Sequence, residues 1–158
     1  ISAASEATLT HQDQIETCQT DHANAPLILL AEDNEANIST FSSYLQAKGY
    51  RLVLAGNGQE AIALAHTEKP ALILMDVQMP GVDGLEATKQ IRLSPELTDI
   101  PIIALTALAM EGDRERCLAA GANDYLSKPV KLKALLIRIQ CWLNGECYTE
   151  ALPECCAI

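Results

Sequence analysis

The chain has 158 residues, 49% of them apolar, with one Trp, one Phe and a formal net charge of −10. That length suits one domain with tails, and the apolar share is enough for an aliphatic core. Surplus negative charge disfavours nucleic acid and anionic membrane surfaces as partners, and no apolar run approaches the roughly 18–20 residues of a membrane span.

Residues 1–25 are polar, carry no sustained periodicity and read as an N-terminal linker or arm. They have neither a basic n-region nor an apolar h-region. The chain, which starts at Ile1, therefore reads as a fragment or a processed chain acting in the cytoplasm. From Pro26 onward short aliphatic runs alternate with amphipathic stretches. Leu27–Ala31 is a continuous apolar run and a first strand. Residues 34–48 place Ile38, Phe41 and Leu45 on one helical face, and Gly49 closes that helix. Residues 52–55 form a second strand. Asn57 then caps a helix reaching about Glu68, with Glu60 three positions on.

Residues 71–75 form a third strand ending at Asp76. A loop with Pro80, Gly81 and Gly84 follows, and Asp83 caps a helix running to about Leu93. Residues 100–105 form a fourth strand, with a proline at its start rather than its centre. Residues 112–120 are a helix closed by Gly121. Asp124–Ser127 is a short fifth strand, and Pro129 separates it from a helix over 130–143, with Leu132, Leu135, Leu136, Ile139 and Leu143 facing inward. The domain is expected to span 26–143, and 144–158 is a short cysteine-containing tail. Non-alternating aliphatic strands are buried on both faces, which implies a doubly wound parallel α/β sheet with right-handed crossovers.

Of six cysteines, Cys18, Cys117, Cys141, Cys147, Cys155 and Cys156, four fall in the last 18 residues. They lack metal-ligand spacing and read as reduced, unpaired thiols. The terminal Cys155-Cys156-Ala157-Ile158 formally fits a prenylation signal, a pattern short enough to arise by chance. His11, His22 and His66 have no catalytic context.

Ligands of an open parallel sheet bind at the carboxyl ends of its strands. In this chain those ends carry Glu32-Asp33, Asp76, Thr106 and Ser127-Lys128. A single Asp at a strand end is usually a turn or cap residue. Three carboxylates, a hydroxyl and an ammonium on one edge are another matter, because bare carboxylates would repel one another. A hard cation such as Mg2+ resolves this with oxygen ligands. Asp76 is then suited to be a nucleophile that forms an aspartyl phosphate, with Thr106 and Lys128 on the phosphoryl oxygens.

The segments LILLAEDN, LILMDVQMPGVDGLEA, PIIALTA and GANDYLSKPV occur in order, each at a strand end. They closely resemble the receiver domain of two-component response regulators. The wording EDNEAN and MDVQMPGVDGLEA looks most like receivers of hybrid histidine kinases. The resemblance implies a flavodoxin-like (βα)5 fold, a five-stranded parallel sheet of order 2-1-3-4-5. It implies that Asp76 takes a phosphoryl group from a phosphohistidine on a histidine kinase or histidine phosphotransfer protein. It assigns Mg2+ to Glu32, Asp33, Asp76 and the backbone carbonyl of Gln78. Thr106 and Tyr125 match the switch pair and Lys128 the site lysine, whose bond to Pro129 is often cis. Thr106 would move toward the new phosphoryl group and Tyr125 would turn into the space it leaves. That would alter the surface of helix 4, strand 5 and helix 5 toward a downstream signalling protein or a homodimer partner.

Two enzyme readings fit less well. Magnesium-dependent phosphatases resembling the haloacid dehalogenases need a second Asp two places after the nucleophile, where this chain has Gln78. The run Gly56-Asn57-Gly58-Gln59-Glu60-Ala61 satisfies a dinucleotide fingerprint, with Asp76 following. It sits after what should be an edge strand and leaves Glu32, Asp33, Thr106 and Lys128 without a role. The remaining alternative is a phosphorylation-independent interaction module of the same fold.

Overall fold

The computed structural model describes residues 25–79, 81–107 and 112–144. The strands are β1 (Leu27–Ala31), β2 (Arg51–Ala55), β3 (Leu72–Asp76), β4 (Ile102–Thr106) and β5 (Asp124–Ser127). The helices are α1 (Glu35–Ala47), α2 (Gly58–Glu68), α3 (Gly84–Arg92), α4 (Asp113–Ala120) and α5 (Leu132–Asn144). All strand pairs are parallel, in the order β2-β1-β3-β4-β5. This is the expected flavodoxin-like sheet, with β2 at one edge.

The core explains why the central strands read as unbroken apolar runs. Successive side chains of a strand point to opposite faces. Leu29, Ala31, Ile73, Met75, Ile102 and Ala104 therefore pack on one face with Ala61, Ala65, Ala87, Ile91 and Cys117 from α2, α3 and α4. Ile28, Leu30, Leu72, Leu74, Ile103 and Leu105 pack on the other with Phe41 and Leu45 of α1 and Leu135 and Ile139 of α5. Burying a large aliphatic side chain contributes about 1.5–3 kcal/mol, so both faces must be covered. The edge strands β2 and β5 are only partly buried.

Caps fix where the helices begin, and hence where each strand's carboxyl end opens. Asn34 accepts from the Ala36 and Asn37 N–H groups at 2.9 and 3.3 Å, Asn57 from Glu60 N at 2.9 Å, and Asp83 from Glu86 N at 2.8 Å. Gly49 ends the α1 region with φ +92°, as expected of a residue after a helix.

Several boundaries differ from the sequence reading. β4 begins at Ile102 rather than residue 100, because Ile100 donates its N–H to Leu97 O and so belongs to the preceding turn. That turn is a 3-10 helix, Pro95–Leu97, which the sequence reading lacks. α5 starts at Leu132 rather than 130, its first backbone bond running from Leu135 N to Lys131 O at 2.9 Å. Leu136 is half-buried rather than part of the core. Of the cysteines, Cys117 is a free, buried thiol as expected, but Cys141 is disulfide-bonded. Its partner lies outside the described residues. The arm before Ala25 and the tail after Asn144, with His11, His22 and the terminal cysteines, also lie outside the described residues. Among the described residues no helix is long and apolar enough to cross a membrane.

Candidate functional site

Glu32 follows β1, Asp76 and Thr106 are the last residues of β3 and β4, and Lys128 follows β5. Parallel pairing in register brings these ends to one edge of the sheet. One carboxylate oxygen from each of Glu32, Asp33 and Asp76 lies within 4.8 Å of the others. Glu32 is 0% exposed and Asp76 and Thr106 are 1% exposed, while Asp33 is open to solvent.

Lys128 is the cation of this cluster. Its Nζ lies 3.0 Å from Asp76 Oδ2 and 3.2 Å from Glu32 Oε2. Burial by itself would lower the Lys128 ammonium. The hydrogen bond and charge of Asp76, reinforced by Glu32, outweigh it and hold the group above the ordinary lysine value. The position of Lys128 is fixed by its own backbone, whose N–H donates to Thr106 O at 2.7 Å. The Lys128-Pro129 peptide is cis.

The remaining carboxylate oxygens are partly spoken for. Asp76 Oδ1 accepts from Gln78 N at 3.0 Å, and Glu32 Oε1 from Asn34 N at 3.1 Å. Three carboxylates share this edge with one ammonium among the described residues, a surplus of acidic groups of which two are buried. Such a surplus is costly unless a cation shares it. Hard oxygen donors at this separation suit a divalent ion that retains some of its waters. The residues therefore fit magnesium.

Tyr125, the second residue of β5, is half-buried against the core and lies under the Arg114 guanidinium of α4, 5.9 Å from ring centroid to Cζ. It is not in the acidic cluster. The sequence reading missed what holds this strand to α5. Asp124 Oδ1 accepts from Tyr125 N at 2.8 Å, and Oδ2 accepts from Arg138 at 2.7 Å and from the Trp142 indole at 3.2 Å. The available signal was the four-residue spacing of Arg138 and Trp142, which puts both on one helical face. His66 is exposed on α2, with Nε2 3.2 Å from Ser94 Oγ, well away from these residues in the fold.

The strand order and the acidic carboxyl edge place the chain among the flavodoxin-like α/β proteins. Residues 28–140 match the family model described as response regulator receiver domain. The polar-differentiation response regulator DivK of Brucella anthropi is 43% identical over 117 residues, covering 74% of this chain and 95% of DivK. The receiver domain of the sensor histidine kinase PA1611 of Pseudomonas aeruginosa, solved with magnesium in its active-site cleft, is 43% identical with TM-score 0.72, covering 76% of this chain and 98% of that one. The co-crystal structure of the Saccharomyces cerevisiae phosphotransfer protein Ypd1 and the receiver domain of its downstream regulator Ssk1 contains a chain 34% identical with TM-score 0.72, covering 80% of this chain and 94% of that one. The chain belongs to the response regulator receiver domain family and is a signalling module of two-component systems.

Proposed function

We propose that Asp76 is the phospho-acceptor of this receiver. The observation that carries the reading is Lys128 Nζ at 3.0 Å from Asp76 Oδ2, beside three carboxylates whose oxygens converge within 4.8 Å. A carboxylate oxygen of Asp76 attacks the phosphorus of a phosphohistidine. The P–N bond breaks, and the imidazole leaves with its electron pair and takes up a proton. Lys128 keeps its ammonium against the oxygens that gain charge, and the Thr106 hydroxyl would donate to one of them. Glu32, Asp33, Asp76 and the Gln78 carbonyl would hold Mg2+, which supplies charge neutralisation at the phosphoryl oxygens. Thr106 and Tyr125 form the switch, and its output is the face of α4, β5 and α5.

The donor is a histidine kinase or a histidine phosphotransfer protein, a reading supported by the structural likeness to a chain of the Ypd1 and Ssk1 complex. Transfer would take place in the cytoplasm, within a hybrid kinase or in a stand-alone regulator. The test is intact mass after incubation with acetyl phosphate and magnesium, beside Asp76→Asn. The expected result is a single phosphoryl adduct that disappears in the variant and with chelator. No adduct in the parent would favour a phosphorylation-independent module, and an adduct that persists in Asp76→Asn would place acceptance on another carboxylate.

A further inference from the structure

The Gly56–Ala61 run resembles a nucleotide-binding turn in sequence, yet its groups are engaged within the fold. Asn57 caps α2, and Glu60 Oε2 reaches back to accept from Gly56 N at 2.8 Å. Gly58 is buried. A Cβ there would overlap the Val82 carbonyl oxygen and stand 3.0 Å from the Val82 carbonyl carbon and 3.1 Å from its Cβ. Gly58 has no positive φ, so close approach, not backbone conformation, demands glycine. The first turn of α2 thus touches main chain to main chain with the segment that follows the acidic site.

The far end of that segment is seated in the same way. A Cβ on Gly84 would overlap the Asp76 carbonyl oxygen and lie 2.8 Å from both Asp76 C and Val77 Cα. The Gly84 N–H also donates to Val77 O at 3.2 Å. Two glycine contacts therefore brace the stretch between Asp76 and α3: Gly58 on Val82, and Gly84 on Asp76 itself.

We propose that Gly58 is a positioning residue for the acceptor site, acting through Val82. The first turn of α2 buttresses the loop and so fixes where the Asp76 carboxylate and the Gln78 carbonyl stand. The inference rests on the proposed role of Asp76. A displacement of about 1 Å at reacting groups costs about a hundredfold in rate, and loss of a supporting contact costs metal affinity about tenfold or more.

The experiment compares Gly58→Ala with Gly56→Ala, where an added Cβ meets only Glu60 Oε2 at 3.5 Å. Magnesium affinity is measured by calorimetry, and the rate of phosphorylation by acetyl phosphate by intact mass. Gly58→Ala should weaken magnesium about tenfold and slow phosphorylation by about tenfold to a hundredfold. Gly56→Ala should match the parent. Parent values in folded Gly58→Ala, or equal losses in both variants, would overturn the inference. If Gly58→Ala does not fold, Asn57→Ala, which removes only the cap, decides. Weakened magnesium binding supports the buttress, and a lowered Tm with unchanged magnesium affinity overturns it. A parent that takes no adduct sinks the acceptor reading instead, and the magnesium comparison still decides Gly58.

Discussion

At the amino edge of the sheet the Arg92 guanidinium spends its donors inside the fold. Nε donates to Gly121 O at 2.8 Å, Nη1 to Leu97 O and Thr98 O at 2.9 and 3.0 Å, and Nη2 to Asn123 Oδ1 at 2.6 Å. At the carboxyl edge, oxygens of Glu32, Asp33 and Asp76 converge, and the Lys128 ammonium pairs with Glu32 and Asp76. One edge is closed with matched donors and acceptors, tying α3, the 3-10 turn and the loop before β5 together. The other gathers three carboxylates beside one ammonium among the described residues, a set suited to a cation. The bonded scaffold and the candidate site thus sit at opposite ends of the same strands, as expected where a locally unfavourable cluster is held by a well-satisfied scaffold.

The strongest way to break that comparison is Arg92→Ala. Burial pulls the Arg92 guanidinium below the ordinary arginine value, with Asp99 acting against this, yet an arginine stays charged at any working pH. Its removal leaves Gly121, Leu97 and Thr98 carbonyls and Asn123 Oδ1 without their charged donor. The expected loss is about 2–4 kcal/mol in denaturant unfolding, with magnesium affinity unchanged. Asn123 Oδ1 also accepts from Ile102 N at 2.9 Å. A double-mutant cycle of Arg92→Ala with Asn123→Ala should therefore show coupling of about 1 kcal/mol. If magnesium affinity fell with Arg92→Ala, the two edges would not be separable.

The carboxyl edge should respond in the reverse sense. Magnesium at a hundredfold its dissociation constant stabilises a one-site protein by about 2.7 kcal/mol. The parent should gain this in thermal unfolding, lose it with chelator, and lose it in Asp33→Asn, which removes the exposed carboxylate of the cluster. Arg92→Ala should keep the full increment on its lower baseline. An increment in Asp33→Asn equal to that of the parent would mean that Asp33 does not hold the ion.

How legible each edge was in the sequence follows the same division. The carboxyl edge could be read because Asp76 and Thr106 each end an unbroken apolar run and Lys128 follows the short strand Asp124–Ser127, and parallel register carries such ends together. The caps Asn34, Asn57 and Asp83 were readable or nearly so, since their partners lie two or three residues away. The amino edge was not readable. Arg92 bonds to groups 29 and 31 residues distant, and most of its acceptors are main-chain carbonyls that any residue supplies. Close approach is equally silent: nothing in the sequence separates Gly58, which must be glycine to pass Val82, from Gly56, which has room for a side chain.

The smallest effect concerns the third surface, where α4 meets β5. Arg114 lies over the Tyr125 ring at 5.9 Å, and an exposed cation–π contact contributes about 0.5–1 kcal/mol. Arg114→Ala should lose no more than that in denaturant unfolding and leave magnesium affinity at the parent value, because neither residue belongs to the acidic cluster. If Tyr125 is the switch residue, beryllofluoride with magnesium should move its ring resonances in the parent. The same ligand should move them at lower occupancy in Arg114→Ala, where the guanidinium no longer favours the present ring position. A Tyr125 ring indifferent to beryllofluoride in both proteins would separate this surface from the site, and the Asp124 carboxylate that joins Tyr125 N to Arg138 and Trp142 would then be scaffold, like Arg92 at the opposite edge.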